Sequence, residues 1–144
     1  MNRQFSLAGL LRLRQAEQKA AESGLATANS RSSSVRERRA EARAALADSS
    51  GSVGSLGDSA SLLAIAAARA ASQSMLAELD ALAAVADAEA AAARDEYTEA
   101  KRRAVGLEKL ETRHDAAFLA AELHAEQGAL DEIASAAWHR KAGS

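Results

Sequence analysis

The chain has no cysteine, no proline and very few aromatic residues. Among its 144 residues there are 2 Phe, 1 Tyr and 1 Trp. The absence of Cys excludes disulfides and thiolate metal sites, and the absence of Pro leaves long helices unbroken. So few aromatic side chains leave little with which to line a substrate pocket. These absences together argue against a compact enzyme.

Branched apolar residues are also scarce, which argues against a β-sheet protein. The sequence contains only 4 Val and 2 Ile, whereas 40 Ala and 17 Leu supply most of its 48% hydrophobic content. Ala is the strongest helix former, and Leu, Arg, Glu, Gln and Lys follow it. This composition is typical of a coiled coil or a long helix.

Charge is small in total but unevenly distributed. The formal net charge of −2 does not indicate a nucleic-acid-binding protein. Residues 1–50 carry 9 Lys or Arg and 5 Asp or Glu, whereas residues 51–100 carry 2 and 8. A basic first segment and an acidic second segment attract each other within the chain.

No stretch of the sequence predicts a transmembrane helix or a signal peptide. Arg69 and Glu78 interrupt the apolar residues that begin at Leu62, well short of the roughly 20 residues that a membrane span requires. Near the N-terminus, Arg12 interrupts a short apolar run that no cleavage site follows. We therefore expect a cytoplasmic protein.

Apolar residues in alternating steps of four and three predict two long helices, at about 6–48 and 59–140. The first seam comprises Leu7, Leu11, Arg14, Gln18, Ala21, Leu25, Ala28, Ser32, Val35, Arg39, Ala42 and Leu46. The second comprises Leu62, Ile65, Arg69, Ser72, Leu76, Leu79, Ala83, Ala86, Ala90, Ala93, Tyr97, Ala100, Ala104 and Leu107. After Leu107 the phase shifts to a stripe of Leu119, Leu123, Leu130, Ile133 and Ala137. Such a shift indicates a stutter or local unwinding.

A Ser/Gly-rich segment at 49–58 separates the two helices and predicts a loop. Asp58 or Ser59 is a suitable N-cap for the second helix. A short loop between two amphipathic helices makes an antiparallel hairpin. We therefore predict an all-α fold, a long antiparallel two-helix coiled-coil hairpin that forms one domain over 1–144. The longer second arm must fold back, self-associate or bind a partner.

Two spacings suggest sites but lack the context that such sites need. Gly51, Gly54 and Gly57 have neither the Lys-Ser/Thr ending of a phosphate loop nor a preceding strand, so we interpret them as a hairpin loop. Glu111 and His114 have the spacing of a di-iron carboxylate bundle, but no second Glu-x-x-His pair accompanies them. We expect no catalytic residue, no cofactor and no metal.

Two basic clusters raise the alternative of nucleic-acid binding. They lie at 36–43 and 101–103. Glu37 and Glu41 interleave the first cluster and offer neutralising pairs one turn apart. We therefore interpret both clusters as solvated faces, or as faces that pair with acidic residues, and expect no nucleic-acid partner.

Two blocks near the ends of the chain narrow the interpretation. The first is Phe5-Ser-Leu-Ala-Gly-Leu-Leu-Arg-Leu-Arg14. The second contains Glu108-Lys-Leu-Glu-Thr-Arg113, followed by Glu126-Gln127 and Leu130-Asp-Glu-Ile133. Together these blocks resemble the flagellar type III export proteins of the FliJ type. The Ser/Gly-rich loop and the Ser run at 32–34 depart from the family pattern.

This resemblance implies a function without catalysis. It implies a coiled coil similar to the stalk of a rotary ATPase, which inserts into the hexameric flagellar export ATPase, links it to the membrane export gate and escorts export chaperones. The protein would be peripheral to the membrane through its partners only. The matched residues implied for the ATPase ring are Arg12, Arg14, Glu108, Lys109, Leu110, Arg113, Glu126, Gln127, Asp131 and Glu132.

Apolar residues in and beside the loop are our candidates for contact with the export gate, since exposed apolar clusters mark protein contacts. They are Leu56, Leu62, Leu63 and Ile65. Wide-stripe packing between the helices is the alternative for this cluster. For the whole chain, the alternative is a generic scaffolding or oligomerising coiled coil of another secretion or ATPase assembly.

Overall fold

The computed structural model of the chain describes residues 4–50 and 58–143. These ranges contain two helices, α1 (Ala8–Ser50) and α2 (Ser59–Ala142), and no strand. The prediction of an all-α helical hairpin is thereby confirmed. Each helix ends two residues later than the sequence pattern indicated, a common difference where helix ends fray. Most of the predicted loop, including the gate candidate Leu56, lies outside the described residues.

Both ends of α2 carry stabilising features. Asp58 caps α2, because its Oδ1 accepts a hydrogen bond from the Ala60 amide at 3.3 Å and its carbonyl accepts one from the Leu62 amide at 3.0 Å. At the other end, His139, Arg140 and Lys141 lie in the last turn of α2. Positive charge there complements the helix dipole.

The chain divides into two compact units. We call Gln18–Glu99 the central unit, and Met1–Glu17 with Ala100–Ser144 the terminal unit. Each unit contains parts of both helices, because each helix continues from one unit into the other.

In the central unit, the buried face of α2 is built mainly from alanine. Leu79, Ala83, Ala86 and Ala90 are buried, at the four-three spacing that the sequence predicted. Every predicted seam position of α1 in this unit, from Gln18 to Leu46, is buried or half-buried. Small side chains let two helices approach closely, but each buries little apolar area and therefore stabilises the pair only modestly.

In the terminal unit, the buried face runs further along α2 than the sequence indicated. Leu11, Ala100 and Ala104 are buried, and further positions are half-buried at four-three spacing. These are Leu107, Glu111, His114 and Phe118. The change of phase expected after Leu107 thus begins after Phe118, and α2 continues through it as regular helix. Every side chain from 119 to 143 is exposed.

By length and composition alone, α2 passes the test for a membrane-crossing helix. One 18-residue stretch has a mean hydropathy of 1.2, and none of it is buried in the structure. A single helix of this kind is a weak indication, since helices of water-soluble proteins pass the same test. The sequence analysis predicts no transmembrane helix because a span requires about 20 predominantly apolar residues, and charged residues interrupt the apolar stretch of α2 before that length.

Candidate partner-binding surfaces

A polar layer crosses the seam of the central unit at Ser32. This side chain is only 6% exposed, and its Oγ donates a hydrogen bond to Asp87 Oδ1 at 2.6 Å. Arg36 Nη2 donates to the same oxygen at 2.9 Å. The hydrogen bond from Ser32 and the positive charge of Arg36 lower the pKa of Asp87 below its ordinary value of 3.8, against the opposing effect of desolvation. Asp87 therefore holds its negative charge beside a buried hydroxyl.

Ion pairs between α1 and α2 flank this layer. Arg31 Nη1 lies 2.9 Å from Glu89 Oε2. Asp80 Oδ1 lies 3.3 Å from Arg43 Nη2 and 3.7 Å from Arg39 Nη1. Basic residues of the first helix thus face acidic residues of the second, as the charge distribution predicted. Four Arg of the basic cluster and its surroundings are engaged in this way, which favours internal pairing over nucleic-acid binding for this cluster.

The described gate candidates all lie in the first turns of α2 within the central unit. Leu63 is 74% exposed and Leu62 is 45% exposed, whereas Ile65 is half-buried. Leu62 and Leu63 are therefore accessible to a partner, whereas Ile65 contributes mainly to the packing between the helices.

Sequence reasoning missed a second exposed apolar face of the central unit. Met75, Leu82 and Val85 are 58%, 53% and 56% exposed. Steps of seven and three place them on one side of α2. The signal was present in the sequence, but the predicted seam beside it is stronger and includes none of these three residues.

The residues matched to the ATPase ring all belong to the terminal unit. Arg14 Nη1 pairs with Glu17 Oε2 at 2.9 Å, and Gln15 Nε2 donates to Glu108 Oε1 at 3.3 Å. The start of α1 therefore lies beside the Glu-Lys-Leu block of α2. Arg12, Lys109 and Leu110 are exposed near this contact.

Four of the matched residues share one face of α2. At 3.6 residues per turn, Lys109, Arg113, Gln127 and Asp131 lie within about 40° of one another around the helix axis. All four are exposed, and their face is opposite the buried side of α2 in the terminal unit. Trp138, which is 69% exposed, continues the same face one heptad further. We call these five residues the polar stripe.

The remaining matched residues of α2 lie elsewhere around the helix. Helix geometry places Glu108 and Glu126 about 100° from the polar stripe, and Leu110 and Glu132 on other sides. The structure thus does not gather all matched residues on one surface. Residue position on a continuous helix already implies this scatter, although the two matched blocks are separated by almost four turns.

His114, of the Glu111/His114 pair, makes a packing contact with Phe5. The ring centroids of His114 and Phe5 lie 5.5 Å apart at a tilt of 59°, and His114 Nδ1 is buried without a hydrogen-bond partner. Asp115 Oδ1, at 3.8 Å, is too distant for a hydrogen bond. Within residues 4–50 and 58–143, no group of three or more His, Cys, Asp or Glu could hold a metal ion.

Comparison with known protein families agrees with the resemblance of the terminal motifs. A family model described as the flagellar FliJ protein matches residues 3–143. Comparisons with curated proteins and with solved structures gave no match. The family match covers nearly the whole chain and confirms the resemblance drawn from the two terminal blocks. The chain therefore belongs to the FliJ family of non-catalytic accessory components of the flagellar export apparatus.

Proposed function

We propose that this protein links the flagellar export ATPase ring to the export gate and to export chaperones. The terminal unit contacts the ring, and the start of α2 in the central unit contacts the gate. The protein works at the cytoplasmic face of the membrane and is held there by its partners. The observation that carries this proposal is the separation of the two candidate sets into different units.

The polar stripe is the part of the terminal unit best suited to the ring. It presents a cationic end, Lys109 and Arg113, and an anionic residue, Asp131, on the face away from α1. Charged surfaces of this kind accelerate association and fix orientation, and they make binding sensitive to salt. Trp138 adds an exposed aromatic ring, and aromatic residues are enriched among those that dominate binding energy.

Binding of the full chain to the purified hexameric export ATPase tests the ring contact. We expect Arg113→Glu combined with Asp131→Lys to weaken binding at least about tenfold, because close interfacial charge pairs are worth about 1.5 kcal/mol or more. Helicity measured by circular dichroism should not change, because both side chains are exposed. The matched control is Glu96→Lys, an exposed charge reversal on α2 in the central unit.

Unchanged binding by the double variant would remove the polar stripe from the interface. No binding of the parent chain to the ring would overturn the proposal as a whole.

The gate contact is tested with Leu63→Asp, since Leu63 is the most exposed apolar side chain beside the loop. This variant should lose binding to the cytoplasmic part of the export gate and retain binding to the ATPase. Loss of both interactions would show that the variant disturbs the fold, and Leu63→Gln would then distinguish a lost contact from unfolding.

A further inference from the structure

The last part of α2 carries an apolar stripe that no described residue covers. It consists of Leu119, Leu123, Leu130, Ile133 and Ala137, at steps of four, seven, three and four. The Leu and Ile members are 58% to 65% exposed. Helix geometry places the stripe about 100° from the polar stripe and about 100° from the side buried against α1. The packing of the terminal unit does not use this face, and of the residues in this segment matched to the ring only Glu126 lies on it.

We infer that this stripe pairs with the same stripe of a second copy of the chain, in antiparallel orientation. The charges beside the stripe indicate that its partner is a second copy of the chain. Glu122 and Arg140 lie on the same flank of the helix, one near each end of the exposed segment. In a two-fold antiparallel helix pair, equal flanks of the two helices face each other. Each Glu122 is thereby brought to an Arg140 of the other copy.

The spacing of these charges also sets the register. When Leu130 of one copy lies opposite Ile133 of the other, Glu126 lies opposite Ala137, and Arg140 falls between Glu122 and Glu126. A polar residue at such a seam position specifies register in coiled coils, at a cost in stability. This register overlaps the two exposed segments along almost their whole length.

Small residues beside the stripe favour a close approach of the two helices. Ala129 and Ala134 flank it on either side, so the side chains nearest its centre, at Leu130 and Ile133, have small neighbours. Three Leu and one Ile per copy give the pair its apolar contacts, and each fully buried side chain of this type contributes about 1.5 to 3 kcal/mol. The short length of the paired segment makes this a reversible dimer.

The association is tested on the full chain by sedimentation equilibrium over a range of concentrations. We expect the apparent mass to rise from one chain to two. Leu130→Lys should raise the dimer dissociation constant at least about tenfold, because two apolar contacts are lost per dimer. Ala121→Lys is the matched control, since it adds the same charge to the opposite face of the same segment and should leave the constant unchanged. A chain that stays monomeric at all concentrations would overturn the inference.

A charge exchange tests the antiparallel register. Glu122→Arg and Arg140→Glu should each weaken the dimer, and the two substitutions together should restore it, since the opposite charges still meet. Failure of the combined variant to recover would overturn this register.

The outcome is separable from that of the proposed function. The ring contact depends on Asp131, which is adjacent to Leu130 in sequence but lies on a different face. Loss of ATPase binding by Leu130→Lys in a chain that never dimerises would assign the stripe to the ring instead of to a second copy.

Discussion

At the scale of single residues, Ser32 is the side chain whose role depends most on its surroundings. It is the buried polar residue of the described part of the chain, and it lies in the run of serines at 32–34, a residue type that competes for backbone hydrogen bonds in helices. In the structure its hydroxyl bonds to Asp87 on the other helix. A residue that disfavours helix locally thus supplies a specific contact between the two helices.

Replacement of this hydroxyl should lower stability. Ser32→Ala gains helix propensity but loses the hydrogen bond to a carboxylate. Ser33→Ala has the same gain at an exposed position. We expect Ser32→Ala to be less stable than Ser33→Ala by about 1 kcal/mol in urea unfolding. Equal stability of the two variants would show that the hydrogen bond adds nothing to folding.

The lowered pKa of Asp87 predicts a specific dependence on pH. Because its pKa in the folded chain lies below the ordinary 3.8, the stabilisation is present above about pH 4 and is lost as pH falls through the folded value. The parent should therefore melt at a higher temperature than Asp87→Asn. This difference should be constant from about pH 7 to about pH 5 and should shrink below about pH 4. Asp95→Asn controls for the loss of one exposed acidic residue. A difference that does not change with pH would contradict the role of the carboxylate.

At the scale of the helices, α1 and α2 of the central unit are matched by charge as well as by packing. Asp80 is shared by Arg39 and Arg43, and further pairs follow along the seam. Each exposed pair is worth only about 0.2 to 1 kcal/mol. These pairs act mainly by fixing the register of α1 relative to α2, because a helix displaced by one turn would lose several pairs together.

Reversal of the shared carboxylate should expose this contribution. Asp80→Arg places three Arg together and should destabilise the chain by about 1 kcal/mol at low salt. In 1 M salt the screening length falls to about 3 Å, so most of the loss should disappear. Urea unfolding at both salt concentrations measures the change, with Glu96→Arg as the control for an exposed charge reversal. A loss that does not depend on salt would indicate altered packing instead.

At the scale of the whole molecule, the buried apolar residues are few and mostly small. Among the described residues they are Leu11, Leu79, Ala83, Ala86, Ala90, Ala100 and Ala104. Larger apolar side chains such as Leu119, Leu123 and Ile133 are exposed. Apolar area that would stabilise an isolated chain is thus placed where other chains can reach it.

This distribution predicts a weakly cooperative unfolding transition. We expect thermal melting of the isolated chain, followed by circular dichroism, to be broad or to shift to higher temperature with protein concentration, since a second copy stabilises the folded state by mass action. A sharp transition at high temperature that is the same at every concentration would contradict both the marginal core and the self-association.

Much of the fold follows from the sequence because helix formation is local. The absence of Pro and the presence of 40 Ala strongly favour helix along the chain. The four-three spacing then identified the faces that meet in the central unit. The opposite charge balance of residues 1–50 and residues 51–100 correctly indicated ion pairs between Arg residues of α1 and acidic residues of α2. The terminal motifs indicated the family for a different reason, by their resemblance to it, and the family match over residues 3–143 confirms that resemblance.

Other features were decided only by the tertiary structure. The sequence could not show that Ser32 would find Asp87, because that contact joins residues 55 positions apart. Nor could it show that the half-buried side of α2 extends as far as Phe118 and that the next stripe is exposed. Periodicity identifies an apolar face, but only the arrangement of the two helices determines what that face contacts. The sequence by itself thus determined two amphipathic helices and their family, and the tertiary structure decided which surfaces are used within the chain and which are left for partners.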